Sequence, residues 1–426
     1  MEYNIKSFGA VGDGVTLNTA AIQSAIDECA SFGGGRVVIP AGTYKCGTLW
    51  LRSNVELHLE LGAELLASDN MDDYNDLDAY EQNGSSAVEE WVGKHLIIAL
   101  EIQNSAITGL GTIDGNCHAF VDRFIDYPQY YNGYIWSGGM SQLKDKEKQR
   151  PGQLICFIEC KNVSVADISI KDSPCWSLFL HGCEQVSIRG IKVSNPSWML
   201  NSDGIDIDAS RYVTVSDCII HTGDDAITLR ACEGKLKNKN MHCEYVTITN
   251  CVLDTSICAF RIGVGVGTIK HARISNIVIE RCCNAIQLCT SYSKSGKADI
   301  EDVNFSGISA YNTDRLIEAF AKNGAYVKNI TIDNVRSTSS MQNYFDGTDG
   351  SIENISMRNI ELYMFDKFTE MTPELLRERE NSSLMLKNTF GVSFENVKIY
   401  GKLCGAASAV SENADNTYID KCNFEF

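Results

Sequence analysis

Short stretches in which apolar and polar residues alternate recur along most of the chain. NVSVADISI begins at residue 162, QVSIRGIKV at 185, YVTVSDCII at 212, YVTITNCVL at 245 and ARISNIVIE at 272. The same pattern returns in VKNITIDNV from 327 and SIENISMRNIEL from 351. The first five starts are separated by 23, 27, 33 and 27 residues. Alternation with period two puts one face of a strand inward and the other outward. Val, Ile and Thr dominate these stretches, and all three favour strands over helices. A single unit of this kind cannot bury its own inner face, so recurrence means that each coil stacks on the next. The pattern predicts an all-β fold, a right-handed, single-stranded parallel β-helix forming one domain over residues 1–426. Ile, Val, Leu and Cys would stack in its interior.

Three segments break the pattern. TLNTAAIQSAIDECASFGGG has helical spacing, with Ala21, Ile22, Ala25, Ile26 and Cys29 on one face. It predicts a capping helix within residues 15–35, started by Asn18 or Thr19 and stopped by Gly33 to Gly35. Such a helix would cover the open end of the solenoid and protect its strand edges. Residues 119–150 interrupt the repeat with the aromatic run FVDRFIDYPQYYNGYIW. An insert of this length near a cleft is usually functional. Its aromatics either stack on sugar rings or pack the loop down. Residues 366–385 have the look of a short helical excursion.

Composition narrows the picture. The formal net charge is -18, from 37 Lys and Arg against 55 Asp and Glu. That argues against nucleic acid or an anionic membrane surface as partner. No segment is apolar enough to span a bilayer. The 17 cysteines form no CxxC pair, and many lie in apolar runs. They read as reduced, buried small hydrophobes, not as a disulfide frame or zinc site. The first residues, MEYNIKSFGAVGDG, carry no basic start or apolar run. A cytoplasmic location is the resulting expectation. Oligomeric state is left open.

The chemistry concentrates between residues 199 and 230. Asp203, Asp206, Asp208, Asp224 and Asp225 sit there among strand-forming residues. NSDGIDID and GDDAITLR are spaced by nearly one coil, so stacking would gather Asp203, Asp224 and Asp225 in one patch, with Asp206 beside them. Taken singly, each Asp fits a solvated turn. Gathered together, like charges raise one another's pKa, and one group keeps a proton at neutral pH. A protonated acid beside ionised carboxylates is what glycosidic cleavage requires. Grouped carboxylates also suit Ca²⁺.

These residues carry a resemblance. FGAVGDGVTLNTAAIQSAID is similar to the N-terminal cap of pectin-active β-helix enzymes. NSDGIDI, preceded by NPSW, and then GDDAI resemble the paired Asp motifs of glycoside hydrolase family 28, the polygalacturonase family. The resemblance implies the pectin-lyase-like solenoid and an inverting hydrolase that needs no metal or cofactor. It implies Asp224 as general acid, Asp203 and Asp225 as holders of the attacking water, and Asn201 as a positioning group. The chain also departs from the family. In ICAFRIGVG, Cys258 stands where the family has the His of a Gly-His-Gly motif. In AIQLCT, Gln287 and Cys289 stand where the family has the Arg and Lys that grip a substrate carboxylate. Arg261 would point outward, stacked near Thr228 on one side and Gln287 on the other. It either pairs with a substrate carboxylate or neutralises the Asp cluster. Arg230 is a second outward cation, and His221, just before GDD, is a proton partner or a plain surface residue.

The function expected is an inverting glycoside hydrolase of the polygalacturonase type, exo-acting on short pectic or related oligosaccharides. Two rivals stand beside it. One is a sugar lyase or epimerase on the same scaffold, and the other is a β-helix that binds carbohydrate without catalysis.

Overall fold

The computed structural model describes every residue except 77–79, 83–90, 124–140, 144–148, 292–295, 366–381, 402–406 and 426. Of residues 91–92, 141–143 and 235 only the backbone is described. The described residues form two compact units. One unit holds everything up to Asp224 together with residues 234–241, and the other holds the rest.

In the first unit, parallel strands stack rung on rung into a β-helix with three walls. Along one wall Val37 pairs with Leu57, Leu57 with Ile107, Ile107 with Val165, Val165 with Ile188, and Ile188 with Val215. A second wall stacks Tyr44, Leu65, Ile113, Ile170, Val193 and Ile220 in the same manner. The third stacks Leu49, Ile97, Ile155, Leu178 and Ile205. All of these side chains are buried. Each contributes about 1.5–3 kcal/mol by leaving water. Outward positions are ordered too. Glu184 lies between Lys161 and Arg211 on neighbouring rungs and bridges both, at 2.9 and 2.6 Å.

The second unit repeats the plan. Val246, Ala272, Val303, Ile330, Ile355 and Val392 form one inner row, and Ile248, Ile274, Phe305, Ile332, Met357 and Phe394 the next. The repeat starts at 162, 185 and 212 are borne out by the pairings Val163 with Val186 and Val186 with Val213. From 245 the true step is 26 residues, since Val246 pairs with Ala272. The expected 27 counts the turn one residue long.

Sharp turns join the walls, and asparagine makes them. Asn54, Asn104 and Asn162 all take left-handed backbone, with φ of 63, 56 and 53°. Asn tolerates that region because its short side chain bonds locally. Here the amides form a ladder, Asn162 donating to Asn104 at 2.8 Å and Asn104 to Asn54 at 3.0 Å.

The capping helix is present but shorter than 15–35. It spans Thr19–Ser31 and buries Ile22, Ala25, Ile26 and Cys29. Residues Asp13–Leu17 are a strand paired with Gly42–Cys46, because the chain must first close its opening rung. Asn18 occupies the cap position, but its side chain bonds Val11 and Thr16. Thr19 accepts from the Gly47 amide instead of capping the helix. Gly33 and Gly34 end the helix by donating to Ala30 and Cys29. A Cβ at Gly34 would meet the Asn54 carbonyl at 2.2 Å.

Of the 119–150 insert, Val121–Arg123 pairs antiparallel with Ser141–Leu143. The aromatic run lies mostly outside the described residues. So does the excursion over 366–381, while 382–385 belong to the strand Ser382–Tyr400. The described cysteines are free, and all but Cys232 and Cys422 are buried, as small hydrophobes would be. Among the described residues no helix is long and apolar enough to cross a membrane.

Inward and outward positions on one rung predict opposite mutational costs. Ile188→Ala is expected to lower unfolding free energy by about 2–5 kcal/mol in denaturant titration. Ser187→Ala, on the same rung facing out, is expected to change it by less than about 0.5 kcal/mol.

Candidate active site

In the first unit the strand Lys192–Ser194 leads into Asn195-Pro196-Ser197-Trp198, and the chain turns back with the Met199 amide donating to Pro196 at 2.9 Å. Ser202 locks this turn. Its hydroxyl donates to the Met199 carbonyl at 2.9 Å and accepts from the Gly223 amide at 3.0 Å. Gly223 comes so close that a Cβ there would sit 2.4 Å from the Met199 carbonyl. That approach ties the NSDG turn to the GDD turn one rung on. The side chain of Asn195 donates to the Ser202 carbonyl and the Ser177 hydroxyl, which ties the start of this corner to its end.

Two carboxylates result from this corner. Asp203 is almost fully buried, and Asp224 is half-buried. Their nearest oxygens lie within 4.8 Å of each other. Asn201 sits between the two turns in left-handed conformation, φ 51°. Its amide N–H donates to Asp224 Oδ2 at 3.1 Å. Its side-chain oxygen accepts from Arg150 Nη2 at 2.6 Å, and Arg150 Nη1 also donates to the Leu200 carbonyl at 2.8 Å. Arg150 is 2% exposed. Its guanidinium holds in place the turn that presents a donor to Asp224. Sequence reading missed Arg150, which lies 51 residues from Asn201 in a segment with no repeat to place it.

Asp225, the next residue, belongs to the second unit and is equally buried. Arg261 donates to both of its oxygens, through Nε and, at 3.1 Å, Nη2. The Cys258 amide adds a third bond at 3.1 Å. Thr228 is the register partner of Arg261, and Arg261 Nη1 donates to Gln287 Oε1, so both expected neighbours are in place. Of the two roles open to Arg261, neutralising the acidic cluster is the one this geometry fills. Cys258 brings a backbone donor, not an acid or base, since burial pushes its thiol well above the ordinary range. Burial likewise lifts Cys289, to about 11. Beyond Gln287 the network continues to Glu318, which sequence reading also missed. Glu318 accepts from Gln287, from Asn284 at 3.0 Å and from Tyr344.

The remaining expected residues are placed differently. Asp206 is 0% exposed, on the strand Ile205–Asp208 beside Phe179, so it does not line an open patch. Its neighbour Asp208 lies 3.1 Å from His181. His221 ends the strand Ile219–Thr222 half-buried, one rung on from Ser194. Arg230 is half-buried in the strand Ile227–Cys232.

Asp203 and Asp224 offer the oxygens that a hard cation such as Ca²⁺ prefers. Cys117, His118 and Asp172 also bring three ligand atoms within 4.8 Å of one another. Burial holds the Cys117 thiol protonated and so makes it a poor ligand.

The family model "Glycosyl hydrolases family 28" matches residues 29–373. The chain belongs to this family. It is 31% identical over 259 residues to an exo-poly-alpha-D-galacturonosidase of Dickeya chrysanthemi, covering 54% of this chain and 42% of that protein. An endo-polygalacturonase of Pectobacterium carotovorum subsp. carotovorum is 25% identical, over 75% of this chain and 84% of its own. Against three of the curated relatives this family 28 chain spans only 42%, 44% and 61% of their length. A family 28 exopolygalacturonase structure from Yersinia enterocolitica superimposes with a TM-score of 0.74 at 23% identity, covering 98% of this chain and 78% of that one. That likeness supports the parallel β-helix fold.

Removing Arg261 would strand a buried carboxylate. Arg261→Gln is expected to lower stability by about 3–5 kcal/mol in denaturant unfolding, with Arg261→Lys losing less. If Arg261 served only the substrate, stability would hold and KM alone would rise.

Proposed function

We propose that this family 28 chain is an exo-acting, inverting hydrolase of galacturonides in short pectic oligosaccharides. Asp224 acts as the general acid. Asp203 and Asp225 hold and activate the attacking water, and Asn201 positions Asp224. The observation that carries the reading is the approach of Asp203 to Asp224 from successive turns, within a chain that the family model covers from 29 to 373. Two carboxylates so close cannot both ionise freely, which leaves one as a proton donor for the leaving oxygen. Exo action draws support from the Dickeya exo-poly-alpha-D-galacturonosidase and the Yersinia exopolygalacturonase that the chain resembles. A cytoplasmic location remains part of the proposal, supported by the buried free thiols.

Acid and base in an inverting pair usually stand about 6.5–9.5 Å apart, to admit a water. Asp203 and Asp224 are closer on their nearest oxygens.

Product analysis on a defined oligogalacturonide tests the reading. Proton NMR in the first minutes should show the product anomer opposite to the bond cleaved. Chromatography should show loss of one unit at a time, and a chelator should leave the rate unchanged. Retained configuration refutes inversion. A ladder of intermediate lengths from the start refutes exo action. An ultraviolet-absorbing unsaturated product that vanishes with chelator supports the lyase instead.

A further inference from the structure

The outward row beyond Arg261 runs through Gln287, Glu318 and Tyr344, which pair rung to rung. We infer that Gln287, Glu318, Tyr344 and Asn284 form a subsite for an uncharged sugar ring, either a neutral sugar or an esterified uronate, and that a free uronate is disfavoured there. The inference rests on the hydrolase reading above and specifies its substrate.

Charge is the first argument. Arg261 directs two donors at Asp225 and a third at Gln287. The next cation, Arg315, is buried, donates Nε to the Gln342 carbonyl at 2.8 Å and lies over the Tyr344 ring at 5.9 Å. It follows directly on the buried Asp314. The charge that the row itself carries is the Glu318 carboxylate, clasped by three neutral donors, Asn284, Gln287 and Tyr344. A second carboxylate placed beside it would be repelled.

Hydrogen-bond valence is the second argument, and it is independent of charge. Asn284 is 3% exposed, and the amide that donates to Glu318 leaves its oxygen without a hydrogen-bond partner. The Thr228 hydroxyl, fully buried on the rung before Arg261, is also unpartnered. An amide oxygen can only accept, and neither a carboxylate nor an ester has a proton to give it, so the group that satisfies Asn284 must be a ring hydroxyl. A sugar hydroxyl can donate to it. Buried polar groups are normally satisfied, so an orphan acceptor at the edge of a donor-rich row points to a ligand donor.

Trigalacturonate and its fully methyl-esterified form share one sugar skeleton and differ at the carboxyl groups, charged in one and neutral and methylated in the other, and they make the test. Affinities are measured by titration calorimetry on the full-length Asp224→Asn protein, which separates binding from turnover. The ester is expected to bind at least about tenfold tighter. Glu318→Gln should narrow that gap to under about threefold, and Gln287→Arg should reverse the preference by restoring a cation. Equal or tighter binding of the free acid overturns the inference, as does a preference untouched by both substitutions or a failure of either sugar to bind. Wild-type cleavage is followed in parallel. If neither sugar is cleaved but the ester still binds tighter, the hydrolase reading fails and the subsite stands. If both are cleaved and the acid binds tighter, only the subsite fails.

Discussion

Everything here depends on parallel register. A β-helix rung places each residue about 4.8 Å from its counterpart one coil away. Because the pairing is in register, inward residues meet only inward residues and outward only outward. The Val, Ile and Leu walls follow, and so do the asparagine ladder and the Lys161, Glu184, Arg211 row. The same rule turns polar residues that lie far apart in sequence into close neighbours. Asn201 and Asp224 are 23 residues apart and share a hydrogen bond.

Bringing acidic groups together is costly, and the two units meet that cost differently. At Asp224 the compensation comes from a backbone donor, the Asn201 amide, with Arg150 fixing the turn that offers it. That arrangement leaves Asp224 half-buried and reachable. Around Asp225 it comes from a guanidinium that donates to both carboxylate oxygens. Like residues thus sit in unlike surroundings.

Much of this was legible in the sequence, because the fold is periodic. Alternation gave the inner faces, and Val163, Val186 and Val213 fall on the rungs their spacing implies. Arg261 was placed correctly between Thr228 and Gln287 by counting along strands. What escaped was whatever the period does not govern. Arg150 comes at the end of an irregular insert. Glu318 was overlooked because its partners Asn284, Gln287 and Tyr344 converge from the rungs on either side of it. Asp206 was misjudged because alternation tells outward from inward, but not which outward faces are covered by other chain. The cap helix began late because Asp13–Leu17 was needed as a strand, a tertiary demand that overrides local helical spacing.

The central claim is that Asp203 and Asp224 act as one unit in breaking a glycosidic bond. Turnover of Asp203→Asn, Asp224→Asn and the double variant on an oligogalacturonide tests it most directly, with melting curves to show that each protein is folded. Groups that act together lose their effect together, so each single change should cost on the order of 10³-fold or more and the double change little beyond the worse single one. Losses that multiply, or a folded single variant keeping more than about a tenth of wild-type turnover, would contradict the account.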